Sequence, residues 1–231
     1  MFKRVLIKIS GEALAQDGGF GISEETLAKL VVQLKTLIEK KIEIAVVIGG
    51  GNFWRGRQAP TMDKSTADHM GMLATLINAL ALQDALESKG VQARVMSALS
   101  INRVAEPYIL RRALRHFEKG RVVIFACGTG NPYFSTDTAA ALRAAEINAN
   151  VLLLAKNIDG IYDSDPKKNP NAKKFDTIGY AEFLQKELKA MDLTAVTMCM
   201  ENNIPILAFS VIQENSIIRA VSGEKIGTII R

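Results

Sequence analysis

Short apolar runs rich in Val, Ile and Leu recur along the chain at 5–9, 44–48, 91–96, 122–126, 151–155, 204–209 and 226–230. Each has the length and β-branched content of a strand. Between most of them the apolar positions fall at helical spacing. The clearest case is 23–40, where Leu27, Leu30, Val31, Leu34, Leu37 and Ile38 form one stripe. Ser23 stands before that stripe as an N-cap, with Glu24 and Glu25 in the first turn, where the helix dipole favours acids. The stretch 67–89, ADHMGMLATLINALALQDALESK, is apolar nearly all round in its middle turns. A helix of that kind needs cover on more than one side, from its own chain or from a second subunit.

Strands that are apolar on both faces and alternate with helices predict a mainly parallel sheet, covered on both sides by helices through right-handed crossovers. The expected fold class is therefore α/β, a three-layer α/β/α sandwich. At 231 residues and 48% hydrophobic content, one domain spanning 1–231 buries a sizeable core. No repeat, low-complexity tract or interdomain linker interrupts it, and 163–176, DSDPKKNPNAKKFD, is the one long polar loop.

Charge and cysteine usage narrow the picture a little. The net charge of +5 is spread along the chain and aromatics are few, which favours a small polyanionic substrate over a polynucleotide. Arg111, Arg112 and Arg115 share one helical segment and read as a solvated or interface face. Cys127 and Cys199 lie in separate apolar segments, as reduced buried thiols do, and this points to the cytoplasm. The opening MFKRVLIKIS carries Lys8 inside its apolar stretch and does not read as a secretory leader. The longest apolar run, 70–82, is interrupted by Gly71, Thr75 and Asn78 and falls short of a membrane span. Neither nucleic acid nor membrane is expected as a partner.

Candidate chemistry gathers after the strands. In an open parallel sheet, ligands collect beyond the carboxyl ends of the strands, where helix N-termini favour anions. Three turns of small residues fall there: KISGEAL after the first strand, VIGGGNFWRG after the second, and ACGTGNP after the strand at 122. Glycines at 49–51 let consecutive backbone N–H groups wrap a phosphate. The chain lacks G-x-x-x-x-G-K-[ST], and Trp54 and Tyr133 occupy the third-glycine place of G-x-G-x-x-G, so neither a P-loop nor a dinucleotide fingerprint is present. Ser135, Thr136, Asp137 and Thr138 crowd a helix start. They serve either as a plain cap or as the rim of an anion site. Lys8 alternates with Ile7 and Ile9 and is either a solvent-facing strand position or, as cover on both faces of the sheet favours, a buried lysine aimed at phosphates. Asp192, by spacing alone, is a helix cap.

The segments KISGEAL, VVIGGGNFWRG, DHMGMLAT, GTGNPYFSTDTAA, DGIYDSDP and MDLTA stand in the order found in the bacterial uridylate kinases of the amino acid kinase family. The sequence resembles that family over nearly its whole length. The combination of DHMGMLAT with GTGNP…TD is what separates uridylate kinases from the wider family. The resemblance implies the amino acid kinase fold and transfer of the γ-phosphoryl of ATP to UMP, with Mg²⁺, in pyrimidine nucleotide biosynthesis. It implies a cytoplasmic homohexamer inhibited by UTP and activated in many members by GTP.

Carried over position by position, Lys8, Ile9, Ser10 and Gly11 meet the ATP phosphates, with Gly51 and Arg55 beside them. Asn157, Tyr162 and Asp165 hold the rest of ATP. The order Lys156-Asn157-Ile158 departs from several relatives, so either Lys156 or Asn157 faces ATP. UMP is held by Gly50, Asp68, Thr129, Gly130, Asn131, Pro132, Tyr133, Phe134, Ser135 and Thr136, with Asp68 on the ribose hydroxyls. Lys8, Asp137 and Asp192 form the catalytic set, the two acids orienting the lysine and the metal. Gln16, Asp17, Gly18, Gly19, Phe20 and Gly21 resemble the loop associated with GTP activation. Gln83 and Glu87, however, stand where some activated members carry basic residues. Two alternatives share the lysine and the glycine turns: another phosphotransferase of the family, or a nucleotide-binding regulatory or storage protein without catalysis.

Overall fold

The computed structural model describes residues 2–15, 19–56, 61–166 and 168–231. Strand β1 (Arg4–Ile9) leads through a 3₁₀ turn (Gly11–Leu14) to α1 (Glu24–Glu39), and β2 (Glu43–Ile48) to α2 (Lys64–Glu87). Strands β3 (Ala93–Ser97) and β4 (Glu106–Pro107) precede α3 (Leu110–Glu118). Then come β5 (Val122–Ala126), α4 (Thr136–Glu146), β6 (Val151–Lys156), β7 (Ile161–Tyr162), β8 (Lys174–Phe175) and β9 (Thr177–Ile178). The chain ends with α5 (Tyr180–Gln185), α6 (Leu193–Glu201), β10 (Ile206–Ser210), α7 (Ser216–Val221) and β11 (Thr228–Ile230).

Nine strands form one sheet in the order β4-β3-β5-β2-β1-β6-β10-β11-β9. Pairing is parallel from β4 to β10. Strand β11 then returns antiparallel to β10, with β9 parallel to it. Alternation along each strand divides the core into two. Ile7, Val46, Ile124 and Leu153 pack with α1, α2 and α7 on one face, and Leu6, Val47, Phe125 and Leu154 pack with α3, α4, α5 and α6 on the other. This is the expected α/β/α sandwich with a mainly parallel centre. Lys8 shares the parity of Leu6 and so emerges on the α4 side, where it is buried.

The expected cap at Ser23 is present, its hydroxyl accepting the Thr26 N–H, and the stripe residues Leu27, Leu30, Val31, Leu34 and Leu37 are buried. Helix α2 is covered on one side only. Met72, Leu76, Leu82 and Leu86 are buried while Met70, Leu73 and Ile77 stay exposed. The polar segment 163–176 is closed at its base by β7 and β8, which pair antiparallel as Ile161 with Phe175 and Tyr162 with Lys174. A pairing two residues deep leaves no periodic trace in sequence. The last strand is shorter than 226–230, and both cysteines are free and buried. Burial pushes the Cys199 thiol up to about 12.

Strand β2 lies on one side of β1 and β6 on the other, and the chain passes between the two sides through α4, which packs across β1, β2 and β6. That change of direction makes the carboxyl ends of β1 and β6 the position where a parallel sheet opens a crevice.

Candidate active site

The carboxyl end of β1 delivers Lys8 to the start of α4, and its Nζ lies 2.6 Å from Asp137 Oδ1. Both side chains are largely removed from water, at 10% and 15% exposure, so the pair is screened little by solvent. Asp137 Oδ1 takes no hydrogen bond of its own, and the ammonium is what neutralises it. Helix α4 starts where the crowded hydroxyls predicted. The Ser135 hydroxyl accepts the N–H groups of Asp137 and Thr138, so the plain cap is real, and Thr136 beside it still lines an open cleft.

Asp192 caps α6 by accepting the Ala195 N–H at 2.8 Å. The same carboxylate accepts the hydroxyls of Ser135 and Thr138. It thus works on the cap of α4 rather than on the lysine, and it positions Asp137 indirectly by tying α6 to α4. Asp192→Ala removes a cap worth about 1 kcal/mol and frees two hydroxyls worth about 1 kcal/mol each. A loss of about 3 kcal/mol in a urea unfolding curve is the expected result. A midpoint within experimental error of wild type would show that the α4–α6 tie contributes nothing.

Three cavities open along the same rim, where Thr136, next to Asp137, lines one, Ile9, next to Lys8, a second, and Lys156, at the end of β6, a third. One of about 290 Å³ is lined by Gly50, Gly51, Asp68, Thr129, Ser135 and Thr136. A second, about 420 Å³, is lined by Ile9, Glu12, Gly51, Arg55 and Asn157 among others. A third, about 430 Å³, is lined by Lys156, Tyr162, Asp163, Asp165 and Leu188 among others. They share walls: Gly51 faces the first and second, and the sequence neighbours Asn157 and Lys156 face the second and third. Of the residues expected around ATP, Ile9, Gly51, Arg55 and Asn157 line one space and Tyr162 and Asp165 the next, while Lys8, Ser10 and Gly11 line neither; much of the set expected around UMP, including Phe134, gathers in one.

The loop after β5 earns its small residues. Cys127, Gly128, Gly130 and Tyr133 all have positive φ, and a Cβ on Gly130, at φ 82°, would stand 3.1 Å from the Ala98 carbonyl oxygen. Asp68 Oδ2 accepts the Tyr133 N–H at 2.7 Å, which pins this loop to α2. Asn131, Pro132 and Tyr133 lie on the outer side of the loop, with Asn131 and Tyr133 exposed. Arg55 pairs with Glu12 and donates to the Gly51 carbonyl at 3.2 Å. Tyr162 donates its hydroxyl to Asp159 at 2.8 Å. Gln16, Asp17 and Gly18 lie outside the described residues. Gly19 lines the second cavity, and Phe20 packs edge-on against Phe53 at 5.3 Å. Gly21 N–H donates to the Asn52 carbonyl.

Several participants escaped the sequence reading. Asn52 and Asn78 are buried and bond each other side chain to side chain at 2.8 and 3.0 Å. Asn78 also donates to the Gly49 carbonyl, and Asn52 to that of Gly21. The signal was available: Asn78 is a polar break in the most apolar helix, and a buried amide must find partners. Thr75, another break, accepts the Cys127 N–H at 2.8 Å. Glu12, the partner of Arg55, had no local signature.

A family model for the amino acid kinase family matches residues 3–210. The chain belongs to the amino acid kinase family. A UMP kinase from Bacillus anthracis is 38% identical, with a TM-score of 0.97 over 100% of this chain and 96% of the other. One from Ureaplasma parvum is 41% identical with a TM-score of 0.94, covering 100% and 99%. A uridylate kinase from Archaeoglobus fulgidus is 25% identical with a TM-score of 0.74, covering 98% and 99%. In this amino acid kinase the joined cavities and the buried lysine occupy the crevice at the switch in sheet order.

Proposed function

We propose that this protein is a UMP kinase, transferring the γ-phosphoryl group of ATP to UMP and releasing UDP and ADP. The observation that carries the reading is the shared wall at Gly51, where one cleft of nucleotide dimensions meets a second space. The buried Lys8–Asp137 pair is next in sequence to Ile9, which lines one, and Thr136, which lines the other. Phosphoryl transfer needs little covalent help, so catalysis is alignment of donor and acceptor with neutralisation of the equatorial oxygens. Backbone N–H groups of the 49–51 turn, Lys8 and Arg55 supply opposing charge. Asp137 holds the lysine, and the acceptor phosphate attacks as the dianion without a base.

Mg²⁺ belongs to this proposal as the counter-ion of ATP. No cluster of three His, Cys, Asp or Glu side chains able to hold an ion occurs among the described residues. Asp137, whose buried Oδ1 takes no hydrogen bond, is the acidic side chain that would help hold it. The ion supplies charge neutralisation across the phosphates. A cytoplasmic setting, a place in pyrimidine nucleotide supply, inhibition by UTP and response to GTP are part of the same proposal, supported by the family likeness. The exposed Met70, Leu73 and Ile77 on α2 support self-association, and a homohexamer is the proposed state. No helix among the described residues is long and apolar enough to cross a membrane.

ADP release coupled to a dye-linked assay, run with UMP, CMP, a glutamate derivative and carbamate as acceptors, tests the reading. UMP supports turnover and the others do not. Turnover with carbamate or a glutamate derivative instead would make it another kinase of the family, and no acceptor-dependent ADP release would leave a binding protein. Asp68→Asn is expected to raise the KM for UMP about 10-fold, the size of one lost charge-assisted hydrogen bond, and to leave the KM for ATP near wild type. Equal effects on both would move Asp68 away from the acceptor.

A further inference from the structure

Helix α2 lies over β2, β3 and β5, so the turns that leave β2 and β5 both run past it. The turn after β2 comes very close. A Cβ on Gly50 would stand 2.8 Å from the Gly71 carbonyl oxygen and 3.2 Å from the Thr75 N, both backbone atoms of the helix. The two polar breaks in the apolar run of α2 then bind both turns. Asn78 Nδ2 donates to the Gly49 carbonyl at 2.8 Å, and Thr75 Oγ1 accepts the Cys127 N–H at 2.8 Å. A spacing of three puts them on one face of the helix, about 4.5 Å apart along its axis.

Both groups are already engaged within the protein. Asn78 is fully buried and directs its two N–H donors to Gly49 and Asn52, while its oxygen accepts from Asn52. Thr75 borders the acceptor cleft, but its hydroxyl donates to the Met72 carbonyl at 2.7 Å while accepting from Cys127. Their bonds leave the helix for the first residues beyond two strands. Gly49 opens the turn whose Gly51 faces two cavities. Cys127 opens the loop that lines the acceptor cleft with Gly128 and Thr129. At φ 63° it sits where a side chain is resisted, so this loop needs a hold from outside itself.

We propose that Asn78 and Thr75 are positioning residues that keep the two substrates in register from one helix, Asn78 through the shared glycine turn and Thr75 through the acceptor loop. The assignment rests on the kinase reading above. Transfer needs the attacking oxygen, the γ-phosphorus and the leaving oxygen roughly in line, and a displacement of about 1 Å can cost about 100-fold. Two turns bonded to one helix within a single helical turn keep a fixed separation.

The test compares wild type, Thr75→Val, Thr75→Ser and Asn78→Ala by calorimetric titration with UMP and with ATP and by steady-state kinetics, at a temperature where melting curves show each protein folded. Thr75→Val keeps the shape and loses the hydroxyl. Its affinity for UMP is expected to fall about 10-fold, the upper size of one neutral hydrogen bond, while affinity for ATP holds. Thr75→Ser, which keeps the hydroxyl, recovers most of the UMP affinity. In Asn78→Ala the kcat is expected to fall about 100-fold, with both affinities within about 3-fold of wild type, because alignment is lost rather than binding. Asn78→Ser, whose hydroxyl bonds back to its own helix, replaces it where Asn78→Ala does not fold. Wild-type kcat in a folded Asn78 variant overturns the proposal, since a lowered melting point alone marks a structural amide. So does a Thr75→Val protein that loses UMP and ATP affinity equally or loses neither. Wild-type protein that binds UMP and ATP but never forms UDP overturns the kinase reading instead, and the contrast between the two nucleotides in Thr75→Val still decides the hold on the acceptor loop.

Discussion

Lys8→Ala is expected to lower kcat by at least about 100-fold while the protein remains folded, because one preorganised donor at a developing charge contributes about 3 kcal/mol. The position explains the size. Lys8 is 8% exposed and lies in a crevice with little water to screen it, so its charge acts on the phosphates at low dielectric. The substitution has a second consequence. Asp137 keeps a buried carboxylate oxygen whose partner was that ammonium at 2.6 Å, and an orphaned buried charge is destabilising. Lys8→Ala therefore melts lower than wild type, and adding Asp137→Asn, which removes the orphaned charge, recovers stability but not turnover. Steady-state kinetics with melting curves on the single and double variants separates the two effects. Near-wild-type turnover in folded Lys8→Ala would remove this lysine from the chemistry.

The reach of the sequence differs from residue to residue for physical reasons. Lys8 could be placed inside because strand alternation and two-sided cover are local and class-level facts, and both act on it directly. Ser135 and Asp192 could be read as caps because a cap is satisfied within three residues. Partnerships across the fold were out of reach: Lys8 meets Asp137 only because α4 crosses over β1 on its way from β5 to β6, and no local pattern encodes that crossing. The same holds for Asp192, which looks like any α6 cap until its other contacts with Ser135 and Thr138 are seen. Lys156 shows the limit most clearly. The strand at 151–155 that it follows was legible, but the lack, among the described residues, of a carboxylate at ion-pair distance from it is a property of everything packed around it.

The site also depends on two turns standing closer than ordinary side chains permit, and this leads to the other large effect. Gly11→Ala is expected to abolish detectable UMP kinase turnover and to destabilise the fold by about 3 kcal/mol, the upper range for overpacking a buried position. A Cβ on Gly11 would stand 2.5 Å from the Gly49 carbonyl oxygen, 2.5 Å from Asn52 Oδ1 and 2.7 Å from the Gly51 N. Two of those atoms are backbone. The third belongs to a buried amide pair that also holds Gly49 and Gly21 in place. Relief therefore cannot come from a flexible side-chain tip. The turn after β1 must move away from the turn after β2, and the Gly49 N–H bond to the Ile9 carbonyl, 2.9 Å long, stretches with it. Separation of these turns would move the 49–51 amides away from the phosphates that Lys8 neutralises, so stability and turnover fall together. Gly51→Ala is the matched comparison for stability. There the nearest atom to the added Cβ is Glu12 Oε1 at 3.4 Å, the end of a side chain able to shift, and the unfolding midpoint should stay near wild type. Urea unfolding and kinetics on both variants decide the matter. A Gly11→Ala protein with the wild-type midpoint and turnover would show that the two turns do not need their present closeness.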